Sequence, residues 1–291
     1  MQIVLYNRIM ENVMINAEYG KRGYLKENFR VFYNKDIYRQ KFDFHYHEFD
    51  KMVLFKSGKV CYIIEGKEYN LTENDILLVR HGDIHKPVIR GDVPYERIII
   101  WINSSYLKEN GNLSACFDKT KETGLNLLRL PHETAQELFS LAEKISTESE
   151  TAFAAELMKE SLFNRLMILT NRAVIHYSDL SVAYKSDRQT DEIIHFIKNN
   201  LFKPLSVDKI AAEFYLSRYY LMHKFKNTTG KTIYSYILSK RLLHACSLLE
   251  NGVSAKNACF ESGFNNYSVF LKAFKKEFEC SPSEYIKKEK M

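Results

Sequence analysis

Leu205 to Thr232 reads LSVDKIAAEFYLSRYYLMHKFKNTTGKT, and Val253 to Ser281 reads VSAKNACFESGFNNYSVFLKAFKKEFECS. The second stretch repeats the plan of the first. Ser206 aligns with Ser254 and Tyr219 with Tyr267 at an offset of 48 residues; Leu221 aligns with Phe270, Phe225 with Phe274 and Tyr236 with Tyr285 at an offset of 49. Each copy predicts a short helix, a tight turn and a second helix. In the first copy Ser206 is a helix N-cap, with Lys209 rather than Glu at the capping-box position. Phe214, Tyr215 and Leu216 form the turn, Ser217 caps the second helix, and Gly230 ends it. In the second copy Ser254 caps the first helix, Gly263 supplies a positive φ in the turn, and Asn265 caps the second helix.

A helix-turn-helix unit sets the N-terminal part of its second helix into the DNA major groove. In the first copy Leu221 and Phe225, four apart, face inward. That leaves Arg218, Tyr219, Met222 and His223 for the groove. In the second, Val269, Phe270, Phe274 and Phe278 form the apolar stripe. Asn266, Tyr267, Ser268, Leu271 and Lys272 remain for the groove side, with Lys275 and Lys276 placed to meet phosphates. Thr232 to Glu250 lies between the copies; as a helix it spans roughly 28 Å. That is near the roughly 34 Å between successive major-groove faces.

Charge follows the repeat. The formal net charge is +6. Residues 188–291 hold 17 Lys+Arg against 10 Asp+Glu, whereas the first 187 hold 25 against 26. Neutralising phosphates and releasing counterions needs such a basic surface. The five cysteines, Cys61, Cys116, Cys246, Cys259 and Cys280, include no C-x-x-C pair and fit buried thiols in a reducing cytoplasm. There is no apolar run of membrane-spanning length, and MQIVLYNRIMENVMINAEYG does not read as a secretory leader. No nucleophile elbow, P-loop or dinucleotide fingerprint is present.

Upstream, Met52–Phe55, Val60–Ile64, Ile76–Val79 and Arg97–Ile102 read as short strands separated by turn residues, the pattern of a small barrel or sandwich. From Pro131 the period changes. Leu138, Leu141 and Ile145 mark one amphipathic helix; Leu162, Leu166, Leu169 and Ala173 mark a second. This helical pair fits either packing on the barrel or a dimer interface. Ser178–Thr190 is the linker candidate. The expected fold is α+β: a cupin-like β-barrel at 1–130, a helical segment at 131–177, a linker at 178–189 and an all-α domain at 190–291.

Residues 190–288 resemble the DNA-binding domain of the AraC family of bacterial transcription regulators. The likeness is carried by the LS…IA…LS…YL…FK…TG run, then Tyr236, Arg241, Ala245, Leu248 and Leu249, then Gly263 through SPSEY to Tyr285. The resemblance implies seven helices with two helix-turn-helix units, a double-stranded promoter or operator DNA partner, and activation as the commoner role. Ala255, Ala258 and Cys259 depart from the larger residues often found in the second unit, which implies looser packing there.

His45 and His47, two apart, share one face of a strand, and His85 follows a later turn. This HxH…H pattern resembles the cupin barrel found at the N-terminus of many AraC-type regulators. Cupin metal enzymes add a Glu after HxH. Lys51 stands near that position, and Asn74 and Arg80 replace residues of the second cupin motif. The expectation is therefore no metal and no cofactor. His45, His47, Lys51, Arg80 and His85 are expected to line a pocket for a small polar or anionic effector such as a sugar, in a cytoplasmic homodimer without enzymatic activity. The rival readings are a metal-dependent cupin enzyme with a helical appendage, and a DNA binder whose barrel only dimerises.

Overall fold

A computed structural model describes Leu25 and residues 27–36, 41–177 and 184–289. The stretch read as lacking a leader, and residues 178–183 of the linker candidate, lie outside the described residues. The chain divides into two compact units, 1–185 and 186–291.

Among its described residues the first unit contains eight strands: β1 (Phe29–Asp36), β2 (Asp50–Ser57), β3 (Val60–Ile64), β4 (Lys67–Asn70), β5 (Ile76–Val79), β6 (His85–Ile89), β7 (Tyr95–Ile102) and β8 (Leu127–Leu128). They form a five-stranded sheet, β1-β7-β2-β5-β8, and a three-stranded sheet, β4-β3-β6. Side chains alternate across β2 and β5, so both faces of the larger sheet are used. Val53, Phe55, Leu77 and Val79 join Val60, Tyr62, Ile64 and Tyr69 of the smaller sheet in one core. Met52, Leu54, Ile76 and Leu78 face a second core made with helices. A strand buried on both faces reads as an unbroken apolar run, which is why Met52–Phe55 and Ile76–Val79 were legible.

Four helices follow: α1 (Ser104–Glu109), α2 (Ala115–Thr123), α3 (His132–Thr147) and α4 (Ala155–His176). The first two fall inside the stretch expected to be barrel alone. Leu138, Leu141 and Ile145 of α3 are buried as expected. On α4 the buried stripe centres on Phe163, Leu166, Met167 and Thr170, with Leu162 and Leu169 only partly covered at its margin. Packing on the sheet therefore accounts for the inner faces of this pair. Leu157, Ile168 and Ile175 of α4 remain exposed.

The second unit contains α5 (Arg188–Asn199), α6 (Val207–Glu213), α7 (Arg218–Thr229), α8 (Ile233–Glu250), α9 (Ala255–Glu261), α10 (Tyr267–Phe278) and α11 (Pro282–Glu289), seven helices among the described residues. Ser206, Ser217, Thr232 and Ser254 cap their helices with side-chain oxygens. Ser281 and Glu284 form a reciprocal capping box at α11. Gly230 closes α7 in the left-handed region. One cap differs from expectation. Asn266, not Asn265, has extended backbone and accepts from Val269 N–H at 3.0 Å. Two adjacent asparagines are chemically equal caps, and the backbone angle selects between them.

All five cysteines are buried and none forms a disulfide. No described helix is long and apolar enough to cross a membrane.

Candidate nucleic-acid interface and sensor site

Each second helix of the repeat splits into a buried and an exposed face. On α7, Leu221 and Phe225 are fully buried. Arg218, Tyr219, Met222 and His223 are exposed, Tyr219 to 73%. The Tyr219 and His223 rings, one turn apart, lie tilted against each other at 41° with centroids 4.2 Å apart. Arg218 donates to both carboxylate oxygens of Asp208 on α6, at 3.1 and 3.0 Å. Both partners are exposed, so the pair is worth about 1 kcal/mol or less and a phosphate can displace it. Tyr220, not singled out in the sequence, is exposed beside them.

On α10 the register rotates from the expected one. Phe270, Phe274 and Phe278 are buried, but Val269 is 53% exposed. Tyr267 and Leu271, expected on the groove side, pack partly against the core. Ser268, Val269, Lys272, Lys275 and Lys276 make up the exposed face, with Asn266 at its N-terminal end. Hydrophobicity alone draws Val269 inward. The helical period centred on Phe270 and Phe274 turns it out. Asn266 remains exposed, but its side-chain oxygen is held by its cap bond.

The two turns differ. Tyr215 takes a positive φ of 54° in the first and Gly263 a φ of 82° in the second. A Cβ on Gly263 would lie 2.9 Å from Phe202 Cα and 3.1 Å from Arg241 Nε. Arg241 of α8 is fixed there, donating to the Leu201 carbonyl at 2.8 Å and the Lys203 carbonyl at 2.9 Å.

In the first unit, His45 and His85 face each other across an isolated antiparallel bridge, bonded N–H to carbonyl in both directions at 3.1 and 2.9 Å. His47 follows two residues on. Ring nitrogens of His45, His47 and His85 all lie within 4.8 Å of one another. His45 Nδ1 meets the Asp43 carbonyl, and His85 Nδ1 the Asp83 carbonyl, each at 2.8 Å. A carbonyl only accepts, so both Nδ1 atoms carry the proton. Burial pushes the His47 and His85 pKa values well down, with neighbouring Lys51 and His45 adding to this. Both rings are neutral.

Lys51 on β2 is buried and donates to the Tyr62 hydroxyl at 3.2 Å. Burial, then the charge of Arg97, lowers its pKa to about 7. Arg80, expected in the same pocket, is only half-buried at the turn after β5 and makes no side-chain hydrogen bond to these imidazoles. Trp101 packs with Phe32 and Phe49, at 4.7 and 4.6 Å between centroids, as part of the protein's own aromatic packing.

A second polar group was not foreseen. Buried Asp50 accepts from the His81 backbone N–H at 2.8 Å and from Ser104 Oγ at 2.7 Å, with His81 Nδ1 at 3.0 Å. Burial favours its neutral form, but the His81 and Ser104 contacts outweigh this and hold its pKa low. This Ser/His/Asp set is not a catalytic triad. The hydroxyl donates to the carboxylate, and the one ring nitrogen near it, His81 Nδ1 at 3.3 Å, faces the Asp50 carboxylate at 3.0 Å and so carries a proton rather than accepting one. Its work is to tie β2, the turn after β5 and α1 together.

An AraC-like ligand binding domain model matches residues 31–167, and a helix-turn-helix domain model matches residues 210–288. The HTH-type transcriptional activator RhaS of Mannheimia succiniciproducens is 26% identical over 241 residues, covering 82% of this chain and 87% of that protein. The HTH-type transcriptional activator RhaR of the same organism is 24% identical over 288 residues, covering 90% and 93%. Among solved structures, ToxT from Vibrio cholerae O395 is similar over 89% of this chain and 97% of that one, at 19% identity and a TM-score of 0.36. With a ligand-binding domain followed by a double helix-turn-helix domain, this chain belongs to the AraC family of DNA-binding transcription regulators.

Proposed function

We propose that the protein is a transcription activator that binds promoter DNA through both helix-turn-helix units and answers a small polar effector in its N-terminal unit. The observation that carries this reading is the split face of α7 and α10. Polar, aromatic and basic side chains are exposed on one side while the other is packed. On α7, Arg218, Tyr219, Met222 and His223 read base edges. On α10, Asn266, Ser268, Val269 and Lys272 do so, while Lys275 and Lys276 meet phosphates. The activator names of its relatives support the direction of control. His45, His47, Lys51 and His85 form the sensing group, and sugars are the first effectors to screen. Leu157, Ile168 and Ile175 on the outer face of α4 support a homodimer. The protein acts in the cytoplasm and catalyses no reaction.

The test is footprinting of the purified chain on its own upstream DNA, with salt varied. Two protected major grooves about one helical turn apart, with affinity falling steeply in salt, support the reading. Absence of specific protection at every salt concentration, with and without the effector panel, overturns it.

A further inference from the structure

Two tripeptides, Asp43-Phe44-His45 and Asp83-Ile84-His85, repeat the same local geometry. In each, the imidazole Nδ1–H is tied to the carbonyl of the Asp two residues earlier. The two histidines are then bound to each other through their backbones. This arrangement fixes both rings in one tautomer, with the Nε2 lone pair unprotonated. Second contacts of this kind orient metal-ligating histidines. His85 Nε2 and His47 Nδ1 are buried atoms with no hydrogen-bond partner. His85 is fully buried and His47 only 9% exposed. Buried polar nitrogens left unpaired are rare in folded proteins and call for an occupant.

We propose that His45, His47 and His85 bind one divalent transition metal ion, with the remaining coordination positions open to an oxygen of the sensed molecule. The sequence pointed the other way, because Lys51 stands near the place of the cupin carboxylate. In the fold, Lys51 is engaged by the Tyr62 hydroxyl. The nitrogen spacing suits the ion. Zinc–imidazole bonds of about 2.0–2.1 Å require each nitrogen to move inward by roughly 0.8 Å from a 4.8 Å triangle, a small ring rotation. Three imidazoles without a carboxylate favour zinc, cobalt, nickel or iron over magnesium or calcium. They also leave the full positive charge of the ion uncompensated. An anionic oxygen on the effector is therefore the complementary fourth ligand. The role given to this fourth ligand rests on the sensor reading of the N-terminal unit; the metal itself does not.

The full-length chain, without a histidine tag and stripped with a chelator, is titrated with Co2+. Visible absorption and metal retained after desalting are both read. The expected result is one Co2+ per chain with d–d bands of a four- or five-coordinate ion. His45→Gln and His47→Gln each weaken binding about 100-fold or more, while far-UV circular dichroism stays unchanged. His45 is only partly buried, so its variant remains informative where a His85 variant fails to fold. No stoichiometric Co2+, or Co2+ retained equally by the His45→Gln/His47→Gln double variant, overturns the site. A chain that protects its upstream DNA yet takes no Co2+ removes the metal and leaves the regulator standing. One that takes Co2+ and protects no DNA does the reverse.

Discussion

The two helix-turn-helix units share a backbone plan and solve it with different side chains. The first turns at Tyr215, a residue 97% exposed in the left-handed region. The second turns at Gly263, where the chain presses on Phe202 and Arg241. The first packs its second helix with Leu221 and Phe225. The second sets Phe264, Phe270, Phe274 and Phe278 against Ala258 and Cys259. Large rings on one helix meet small side chains on the other. The small residues that suggested loose packing are thus the complement of an aromatic cluster. The exposed faces differ too: Arg218, Tyr219, Met222, His223 and Lys226 on α7, and Ser268, Val269, Lys272, Lys275 and Lys276 on α10. A repeated fold need not imply two equal readers. On the reading proposed above, both units offer groups to base edges, and Lys275 and Lys276 add phosphate contacts in the second.

The sharpest way to break this comparison is Gly263→Ala. The substitution meets backbone at 2.9 Å and keeps a positive φ. Left-handed backbone costs about 1–2 kcal/mol and overpacking about 1–3 kcal/mol. A loss of about 3 kcal/mol is expected, large against the ~5–15 kcal/mol of a typical domain. The chain has one tryptophan, Trp101, and it lies in the first unit. Urea unfolding followed by Trp101 fluorescence should therefore hold its midpoint while the helical circular dichroism transition moves to lower urea. A variant with both transitions unchanged would show that Phe202 yields and that the two turns are interchangeable.

The division of labour is tested on DNA. Tyr219→Ala should cost about 1–3 kcal/mol at the cognate site and little on random DNA, because base contacts carry specificity. Lys275→Ala and Lys276→Ala should weaken cognate and random DNA alike. Each should lower the slope of log K against log salt by about 1. Fluorescence anisotropy at several salt concentrations reads both effects. Lys272→Ala should follow Tyr219→Ala, and a Lys272 variant that weakens random DNA equally would make that lysine a phosphate contact instead.

Much of this was legible in the chain because helices announce themselves through period and caps. Ser206, Ser217, Ser254, Gly230 and Gly263 mark boundaries that the structure keeps. What escaped depends on backbone angles or on distant partners. Asn265 and Asn266 are alike until the chain chooses which is extended. Val269 reads as core until the phenylalanine register is known. Strands β4 and β8 are only four and two residues long, and β6 contains Pro87, so none carries a pattern that period can detect. The ring nitrogens of His45 and His47 converge, but beside an isolated bridge rather than on the strand expected there. The carbonyls that fix the rings of His45 and His85 follow only from the bridge between those two residues. The Asp50 network joins residues 50, 81 and 104, and nothing local points to it.

The caps offer a finer test. Ser217→Ala and Asn266→Ala each remove one bond to an orphan helix N–H, and each should cost about 1 kcal/mol of stability. They should differ on DNA. Asn266 stands at the groove-facing end of α10, so its loss should also weaken cognate binding. Ser217→Ala should change stability alone, by urea midpoint and anisotropy together. Equal DNA effects would mean that the cap only positions its helix in both units.

The smallest effect is expected at Tyr215→Gly, and its sign matters more than its size. A non-glycine residue in the left-handed region is strained by about 1–2 kcal/mol, while glycine adds about 0.5–1 kcal/mol of unfolded-chain entropy. The balance is a stabilisation of under about 1 kcal/mol, visible as a slightly higher urea midpoint for the helical transition. The side chain is almost wholly in solvent, so its removal forfeits no packing. A destabilisation would mean that Tyr215 packs somewhere in solution. The first turn would then be held by a side chain, as the second is held by its closely approached backbone, and the contrast between the two units would narrow to their exposed faces.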